Sequence, residues 1–419
     1  MPRRVSLVIN TLCCVLTLAV LATSCGLVGS DEPTVASFPQ PTAPPLLPAP
    51  SQPAAAADSS DAATVTAPQP TASLEVPPVE VQLPESPPDS LSCLSARRRA
   101  AQLLLPLLTQ PELAGAQAFA QAGELGGIGL LGTPNSELPA DLTALQNASF
   151  LPVLVASDEE GGSVQRLSYL GPIPSAAEIA RLKSPEDVRK QWVEYGARVH
   201  DAGIDVVFGP VLDVGGGPGI ESRSFSADPA VVTEYGNAVA AGLLEAGVLP
   251  VFKHFPGHGS ASADSHLELP VTPSLEDLRA SDLLPYVTLL SDPVYRDQAA
   301  VMIGHLAVPG LSGELPTSLS SDTINGLLRG ELGFRGLVFS DAINMGAIVN
   351  SYGRLDALEL SLRAGTDVII LGSLADVAPA LDHLVMLAES DPSFAVIVDN
   401  RAARVMAAKG QTNFCAGAG

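Results

Sequence analysis

Eight short apolar runs recur along the sequence, and helix-like segments separate them. The runs cover residues 102–108, 126–132, 151–157, 204–212, 248–252, 299–304, 336–340 and 367–372. Their apolar residues are continuous rather than alternating, which is typical of parallel strands buried on both faces. Segments 185–202 and 229–246 carry helical spacing. Eight strand–helix units over about 315 residues predict an α/β fold, a (β/α)8 barrel, with an open doubly wound sheet as the alternative.

The first 90 residues are predicted to lie outside this barrel. Arg3 and Arg4 precede an uncharged run, and we interpret residues 1–24 as a signal peptide rather than a transmembrane helix. Small residues before Cys25 resemble a bacterial lipoprotein motif, although Ala22 stands where that motif usually has Leu. We therefore predict lipidation at Cys25, export, and a lipid anchor on the outer face of the bacterial cell membrane.

Proline dominates the next segment, because 15 of the 37 prolines fall between Pro33 and Pro88. Strands and helices do not persist through such a composition, so residues 25–90 are predicted to be a disordered linker. Residues 91–419 then form a single catalytic barrel domain.

The cysteines indicate a disulfide in this domain. If the signal peptide is removed, Cys13 and Cys14 leave with it and Cys25 carries lipid, so that Cys93 and Cys415 remain. Two cysteines that remain outside the cytoplasm are expected to be bonded rather than free. We predict a Cys93–Cys415 disulfide that joins the two ends of the domain.

Charge excludes one class of partner. The formal net charge is −23, and no basic patch appears after the first few residues, which argues against nucleic acid. We expect a monomer that uses no cofactor and no metal ion.

Polar side chains follow five successive apolar runs. They are Asp158, Asp213, Lys253 with His254, His305, and Asp341. One such residue could be a helix N-cap, but five in succession predict a shared active site at the carboxyl ends of the barrel strands. Carboxylates combined with a histidine–carboxylate pair suit two-step nucleophilic displacement with acid–base help. The cations Lys253, Arg166 and Arg223, together with the acids, could hold the hydroxyls of a sugar.

Segment 251–270, VFKHFPGHGSASADSHLELP, concentrates three of the six histidines among Gly, Ser and Pro. We expect the strand to end after Phe252 and residues 257–262 to be a flexible spacer that swings the following Asp264 and His266 over a bound ligand.

Four motifs carry a family resemblance. They are KHFPGHG followed by ADSH, SDEEGGSVQRL, ESRSFSADP, and FSDAINMGAI. Together they resemble glycoside hydrolase family 3, specifically its β-N-acetylglucosaminidases, and they occur in the family's order from about residue 103 to residue 408.

The resemblance implies a retaining mechanism in which Asp341 is the nucleophile and His266, paired with Asp264, is the general acid/base. Most retaining glycosidases use a second carboxylic acid for the latter task, whereas a histidine titrates near neutrality. Five residues match those that hold the non-reducing GlcNAc, namely Asp158, Arg166, Arg223, Lys253 and His254. Asp213 and His305 are expected to join this substrate-binding set. Glu159 departs from the family, which often has Gln at this position.

These observations predict an enzyme that releases terminal GlcNAc from muropeptide-type or related oligosaccharides during cell-wall turnover. A β-glucosidase or another exo-β-glycosidase is one alternative, and a non-catalytic sugar-binding lipoprotein is a second. A metal-dependent hydrolase that uses His254, His258, His266 and Asp264 as ligands is a third. Phosphate in place of water as the acceptor also stays open.

Overall fold

Eight parallel strands form the centre of the part of the chain that the computed structural model describes, residues 91–411 and Cys415. The strands are β1 Leu104–Thr109, β2 Gly127–Leu131, β3 Leu154–Ser157, β4 Glu159–Gly161, β5 Val164–Gln165, β6 Val206–Val207, β7 Leu249–Phe255, β8 Ala300–Ile303, β9 Val338–Ser340 and β10 Ile369–Leu371. Strands β4 and β5 pair with each other as an antiparallel hairpin, and the other eight build the barrel.

The parallel sheet closes on itself. Its strand order is β10-β1-β2-β3-β6-β7-β8-β9. Leu104 lies opposite Ile369 where β1 meets β10, and a parallel bridge between Phe339 and Val368 joins β9 to the start of β10. The predicted eight-stranded α/β barrel is therefore confirmed, and the alternative of an open doubly wound sheet is wrong.

Helices cover the outside of the barrel. They are α1 Ala96–Ala101, α2 Leu113–Ala122, α3 Leu138–Ala148, α4 Ala176–Leu182, α5 Pro185–Asp201, α6 Pro229–Glu245, α7 Leu275–Ala280, α8 Leu283–Leu290, α9 Pro293–Gln298, α10 Gly346–Val349, α11 Arg354–Ala364, α12 Val377–Ser390 and α13 Pro392–Ala408, and a π-helical segment spans Asp322–Glu331. The two segments with helical spacing correspond to α5 and α6. Each begins at a side-chain cap followed by proline, with Ser184 before α5 and Asp228 before α6.

Alternate residues of the strands pack into two different apolar layers. Ala156 of β3 packs inside the barrel with Phe208 and Phe339, whose rings meet edge to face at 5.7 Å between centroids. Val155 and Val207 point the other way and pack under the helices. Because both faces of each strand are buried, the strands read as continuous apolar runs in the sequence.

Strand boundaries differ most from the prediction at β6 and β7. The fourth apolar run yields only the two-residue strand β6, with a separate parallel bridge from Val211 to Lys253. The expectation that the fifth strand ends after Phe252 is wrong, because β7 continues through Lys253 and His254 to Phe255. These polar residues belong to the barrel wall itself.

Cys93 and Cys415 are joined by a disulfide, with their Cα atoms 5.5 Å apart. Nearby, α1 packs with α12 and α13 in a separate apolar cluster that includes Leu94, Leu384 and Phe394. The predicted signal peptide, the lipidation site at Cys25 and the linker lie outside the described residues. Within residues 91–411, every helix is too short or too polar to cross a membrane.

Candidate active site

The carboxyl ends of the barrel strands surround a cavity of about 330 Å³. Seven of the side chains predicted to act on a ligand line it, namely Asp158, Arg166, Arg223, Lys253, His254, His266 and Asp341. Apolar groups of Leu107, Phe208 and Met302 complete part of the wall. The cavity therefore combines charged, hydrogen-bonding groups with an apolar surface, as is typical of a site for a small molecule.

The β4–β5 hairpin presents two carboxylates to this cavity. Asp158 precedes β4 and Glu160 lies within it, and residues two apart in an extended chain point to the same side. Both line the cavity. The hairpin turns sharply because Gly161 has φ 91°, and a side chain there would begin 2.2 Å from the carbonyl oxygen of Pro174.

Lys253 connects these carboxylates to β7. Its Nζ atom lies 2.8 Å from Oδ1 of Asp158 and 2.6 Å from Oε1 of Glu160. Arg166 Nη2 lies 3.1 Å from the other oxygen of Asp158. Arg223 Nε donates to Oε2 of Glu160 at 2.8 Å. Three cations face two carboxylates, so the wall has excess N–H donors for the oxygens of a ligand.

The opposite charges around Lys253 stabilise one another. Burial alone would raise the pKa of Asp158, but Lys253 and Arg166 outweigh it and hold the pKa below its ordinary value. The same balance, with Lys253 and Arg223 as the cations, lowers the pKa of Glu160. Burial acts to lower the pKa of Lys253, yet the two carboxylates raise it overall. All of these groups are therefore charged at neutral pH.

His254 is oriented by Asp213. Its Nδ1 atom lies 2.7 Å from Oδ2 of Asp213, and because a carboxylate only accepts, Nδ1 carries the proton. The opposite nitrogen, Nε2, lies 3.4 Å from Nη2 of Arg223 on the cavity side. Burial would raise the pKa of Asp213, but the charge and hydrogen bond of His254 bring it to about 2. Asp213 is thus an ionised anchor.

The prediction that Asp213 and His305 contact the substrate needs correction, because both are 0% exposed and neither reaches the cavity wall. His305 Nε2 donates to the carbonyl oxygen of Ala342 at 3.1 Å, and its Nδ1 accepts from Ser318 Oγ at 2.7 Å. Burial lowers the pKa of His305, which favours this neutral tautomer. Both residues therefore support neighbours that do face the cavity.

Asp341 follows β9 directly. Its backbone N–H donates to the carbonyl of Ile303 at 3.0 Å, and its Oδ1 accepts from the backbone N–H of Ala342 at 2.8 Å. Burial would raise the pKa of the carboxyl, but the nearby His305 and His254 outweigh burial and hold the pKa below its ordinary value. Asp341 is therefore an ionised carboxylate held at a fixed place in the cavity wall, a suitable nucleophile.

His266 and Asp264 form the predicted pair. Nδ1 of His266 lies 2.7 Å from Oδ1 of Asp264, which also accepts the backbone N–H of His266 at 2.9 Å. Burial acts to raise the pKa of Asp264, but these two hydrogen bonds lower it overall. With Nδ1 donating to the carboxylate, Nε2 of His266 is the nitrogen that can exchange a proton with a ligand.

Residues 257–262 were expected to be a flexible spacer, and the structure differs from this expectation over residues 257–259. Gly257 and Gly259 lie in tight contact with Asp282 and Val214, and a side chain on Gly259 would begin 2.1 Å from the carbonyl oxygen of Val214. His258 between them is 3% exposed. These glycines allow close packing rather than motion, and exposed chain begins only at Ser260.

Glu160 was missed by the sequence analysis, although a signal for it existed. Its spacing of two from Asp158 places both carboxylates on one face of an extended segment. Glu160 accepts two hydrogen bonds from Arg223, whereas the nearby carboxylate of Asp228 caps α6.

Metal ligation finds no support in residues 91–411 and Cys415. In that part of the chain, no three His, Cys, Asp or Glu side chains converge in a way that would hold a metal ion. His258 and Ser265 instead bond to each other, with 3.1 Å between Nε2 and Oγ.

Comparison with known proteins finds relatives of this chain. Residues 116–408 match the Glycosyl hydrolase family 3 N terminal domain. Beta-hexosaminidase LpqI of Mycobacterium tuberculosis is 40% identical over 361 residues, which is 81% of this chain and 89% of that protein.

Two solved structures are similar as well. A GH3 family glycosyl hydrolase from Mycobacterium smegmatis has a TM-score of 0.71 and 41% identity, over 76% of this chain and 98% of that one. A family 3 β-N-acetylglucosaminidase from Paenibacillus has a TM-score of 0.69 and 29% identity, over 78% of this chain and 64% of that one.

Glu159 generates a prediction about stability. It is 1% exposed, and its carboxyl accepts from Ser157 Oγ at 2.6 Å and from the Tyr195 hydroxyl at 2.5 Å. Burial raises its pKa from 4.5 to about 7 in spite of these hydrogen bonds. A carboxyl with a raised pKa contributes stability that is complete below pH 4.5 and is lost as the pH rises through about 7.

We therefore expect Glu159→Gln to gain stability relative to the wild type as the pH rises from 5 to 8. The relative gain should be on the order of 3 kcal/mol, measured by denaturant unfolding of both proteins at each pH. Glu178→Gln, at an exposed position in α4, is the matched control and should show no such pH-dependent difference. A constant difference between Glu159→Gln and the wild type across this range would contradict the assignment.

Proposed function

This chain belongs to glycosyl hydrolase family 3 and is a glycosidase, and from that premise we propose that it releases terminal, non-reducing GlcNAc with retention of configuration. The choice of sugar is supported by similarity to Beta-hexosaminidase LpqI and to the Paenibacillus β-N-acetylglucosaminidase. The observation that carries the mechanism is that the Asp341 carboxylate and the His266 imidazole line one cavity.

In the first step, a carboxylate oxygen of Asp341 forms a bond to the anomeric carbon while the bond from that carbon to the leaving oxygen breaks. His266 gives its Nε2 proton to the leaving oxygen, so the aglycone departs as an alcohol. The ionised state of Asp341 and the hydrogen bond from His266 Nδ1 to Asp264 support these roles.

In the second step, a water molecule attacks the anomeric carbon and the bond to Asp341 breaks. The neutral His266 takes the proton from that water, which regenerates both groups. Its side chain is 61% exposed, so water can approach it. Asp264 stabilises the imidazolium that forms in this step, because its carboxylate already accepts from Nδ1.

The cluster around Lys253 is proposed to hold the hydroxyls of the sugar. Asp158 and Glu160 offer carboxylate acceptors, whereas Lys253, Arg166 and Arg223 offer charged donors. Hydrogen bonds to charged groups are stronger than neutral ones, about 1.5–3 kcal/mol each. Because these ion pairs hold the side chains in place, the ring binds to an ordered wall.

We further propose that the substrate is of muropeptide type, that the role is cell-wall turnover, and that the protein is exported and anchored through lipid on Cys25. The lipoprotein-like residues before Cys25 support the anchor. The Cys93–Cys415 disulfide is consistent with an oxidising compartment outside the cytoplasm.

Product analysis tests the proposed substrate. We expect the protein to split a GlcNAc–MurNAc disaccharide into its two sugars and to leave a simple β-glucoside intact, as followed by chromatography. Release of free GlcNAc at the same rate with and without phosphate would identify water as the acceptor. Preferential cleavage of the β-glucoside, or tight GlcNAc binding without turnover, would overturn the proposal.

Replacement of the nucleophile should abolish the first step. Asp341→Asn removes the negative charge that attacks the anomeric carbon, and we expect turnover to fall by about 10³-fold or more, which corresponds to about 4 kcal/mol of barrier. Asp297→Asn, at the exposed fifth residue of α9, is the control for the same chemical change. Wild-type turnover by Asp341→Asn would show that another group is the nucleophile.

Removal of the acid/base should depend on the leaving group. We expect His266→Ala to slow an alkyl GlcNAc glycoside by about 10²-fold or more and a 4-nitrophenyl GlcNAc glycoside far less, because 4-nitrophenolate departs without a proton. The measurement is kcat/KM for formation of the glycosyl-enzyme on both substrates. His200→Ala, an exposed histidine of α5, is the control. An equal loss on both substrates would count against the acid/base role.

A further inference from the structure

His258 is a buried histidine that the mechanism above does not use. It is 3% exposed, and it lies between the strand that carries Lys253 and His254 and the segment that carries Asp264 and His266. Burial lowers the pKa of its imidazole, so the ring is neutral. A buried polar ring needs a hydrogen-bonding partner, and the partner of His258 indicates its role.

That partner is Ser265, the residue between the two members of the acid/base pair. Nε2 of His258 lies 3.1 Å from Oγ of Ser265. Ser265 is itself 3% exposed, whereas His266 next to it is exposed. The side chain of Ser265 therefore points into the protein while that of His266 reaches the cavity.

The main chain of the same segment is held against the residues that follow Asp341. The N–H of Ala347 donates to the carbonyl of Ser265 at 3.1 Å, and the N–H of Gly346 donates to the carbonyl of His266 at 3.0 Å. The acid/base segment thus docks onto the start of α10. Two side-chain contacts add to this docking, the hydrogen bond between His258 and Ser265 and one from Asn350 Nδ2 to the carbonyl of Leu267.

His258 is in turn fixed by Asp213. The backbone N–H of His258 donates to Oδ1 of Asp213 at 2.7 Å, while Oδ2 of the same carboxylate accepts from His254. Gly257 and Gly259 on either side lie against Asp282 and Val214 and leave no room for a side chain. A series of hydrogen bonds therefore connects His254 at the cavity wall, through Asp213 and His258, to Ser265.

We propose that His258 is a positioning residue for catalysis, which holds the acid/base pair over the cavity through its hydrogen bond to Ser265. This inference rests on the proposed function, because it assigns His258 a task in the proton transfer made by His266. His258 does not touch the substrate. It sets the place from which Nε2 of His266 meets the glycosidic oxygen.

The test compares two GlcNAc glycosides, one with a methyl aglycone and one with a 4-nitrophenyl aglycone. Ser265→Ala removes the hydrogen bond with little change of shape, and we expect about a five- to tenfold loss of kcat/KM on the methyl glycoside. On the 4-nitrophenyl glycoside, which needs no proton, the loss should be less than about twofold. Ser260→Ala, the same change at an exposed position of this segment, should leave both values unchanged.

A double-substitution cycle separates positioning from a general loss of structure. His258 and Ser265 act through one contact. The double variant Ser265→Ala with His258→Ala should therefore have a kcat/KM on the methyl glycoside no lower than that of the less active single variant. Losses that multiply, or equal losses of Ser265→Ala on the two glycosides, would overturn the proposal. If His258→Ala fails to fold, the outcome for Ser265→Ala alone decides the test.

Hydrogen exchange tests the same contact without any substrate. Backbone amides of residues 264–267 should exchange about five- to tenfold faster in Ser265→Ala than in the wild type or in Ser260→Ala. Unchanged exchange would contradict the positioning role. If the wild type hydrolyses neither glycoside, the proposed function fails, and faster exchange would still show that His258 orders this segment.

Discussion

One buried cation holds the two sides of the site together. Lys253 projects from β7 and contacts both carboxylates of the β3–β4 region, Asp158 and Glu160, although it is 2% exposed. An unpaired charge at such a place would cost several kcal/mol. Here Arg166 and Arg223 complete the pairing, so every charge meets opposite charges. The polar wall of the cavity is consequently ordered by its own ion pairs.

The two proposed catalytic groups differ from each other in their exposure, because Asp341 is half-buried and His266 is exposed. Asp341 is fixed by backbone hydrogen bonds, and although burial would raise its pKa, His305 and His254 hold the pKa below its ordinary value, which suits a carboxylate proposed to attack as an anion. His266 reaches the cavity from an exposed segment anchored at Ser265. In the proposed reaction the imidazole must meet both a departing alcohol and an incoming water, and an entirely buried ring would exclude the second.

The fold could be predicted because parallel strands buried on both faces leave continuous apolar runs, and strand ends of a barrel meet at one mouth. The boundary of β7 could not be predicted, because the polar side chains of Lys253 and His254 are typical of a loop until Asp158, Glu160 and Asp213 are known to pair with them. Residue type likewise could not show which polar residues line the cavity and which hold a neighbouring side chain in place. Asp213 follows an apolar run as Asp158 does, and only its burial and its hydrogen bond with His254 reveal that it orients that ring.

The Cys93–Cys415 bond makes the described domain a covalent ring, since it joins positions separated by 322 residues. A protease that cuts one exposed loop between these positions would therefore release no fragment. The nicked protein would remain one molecule with both pieces still docked through the barrel, and a reductant would be needed before they could part. Damage that truncates an unbridged enzyme would here leave the catalytic groups on a shared scaffold.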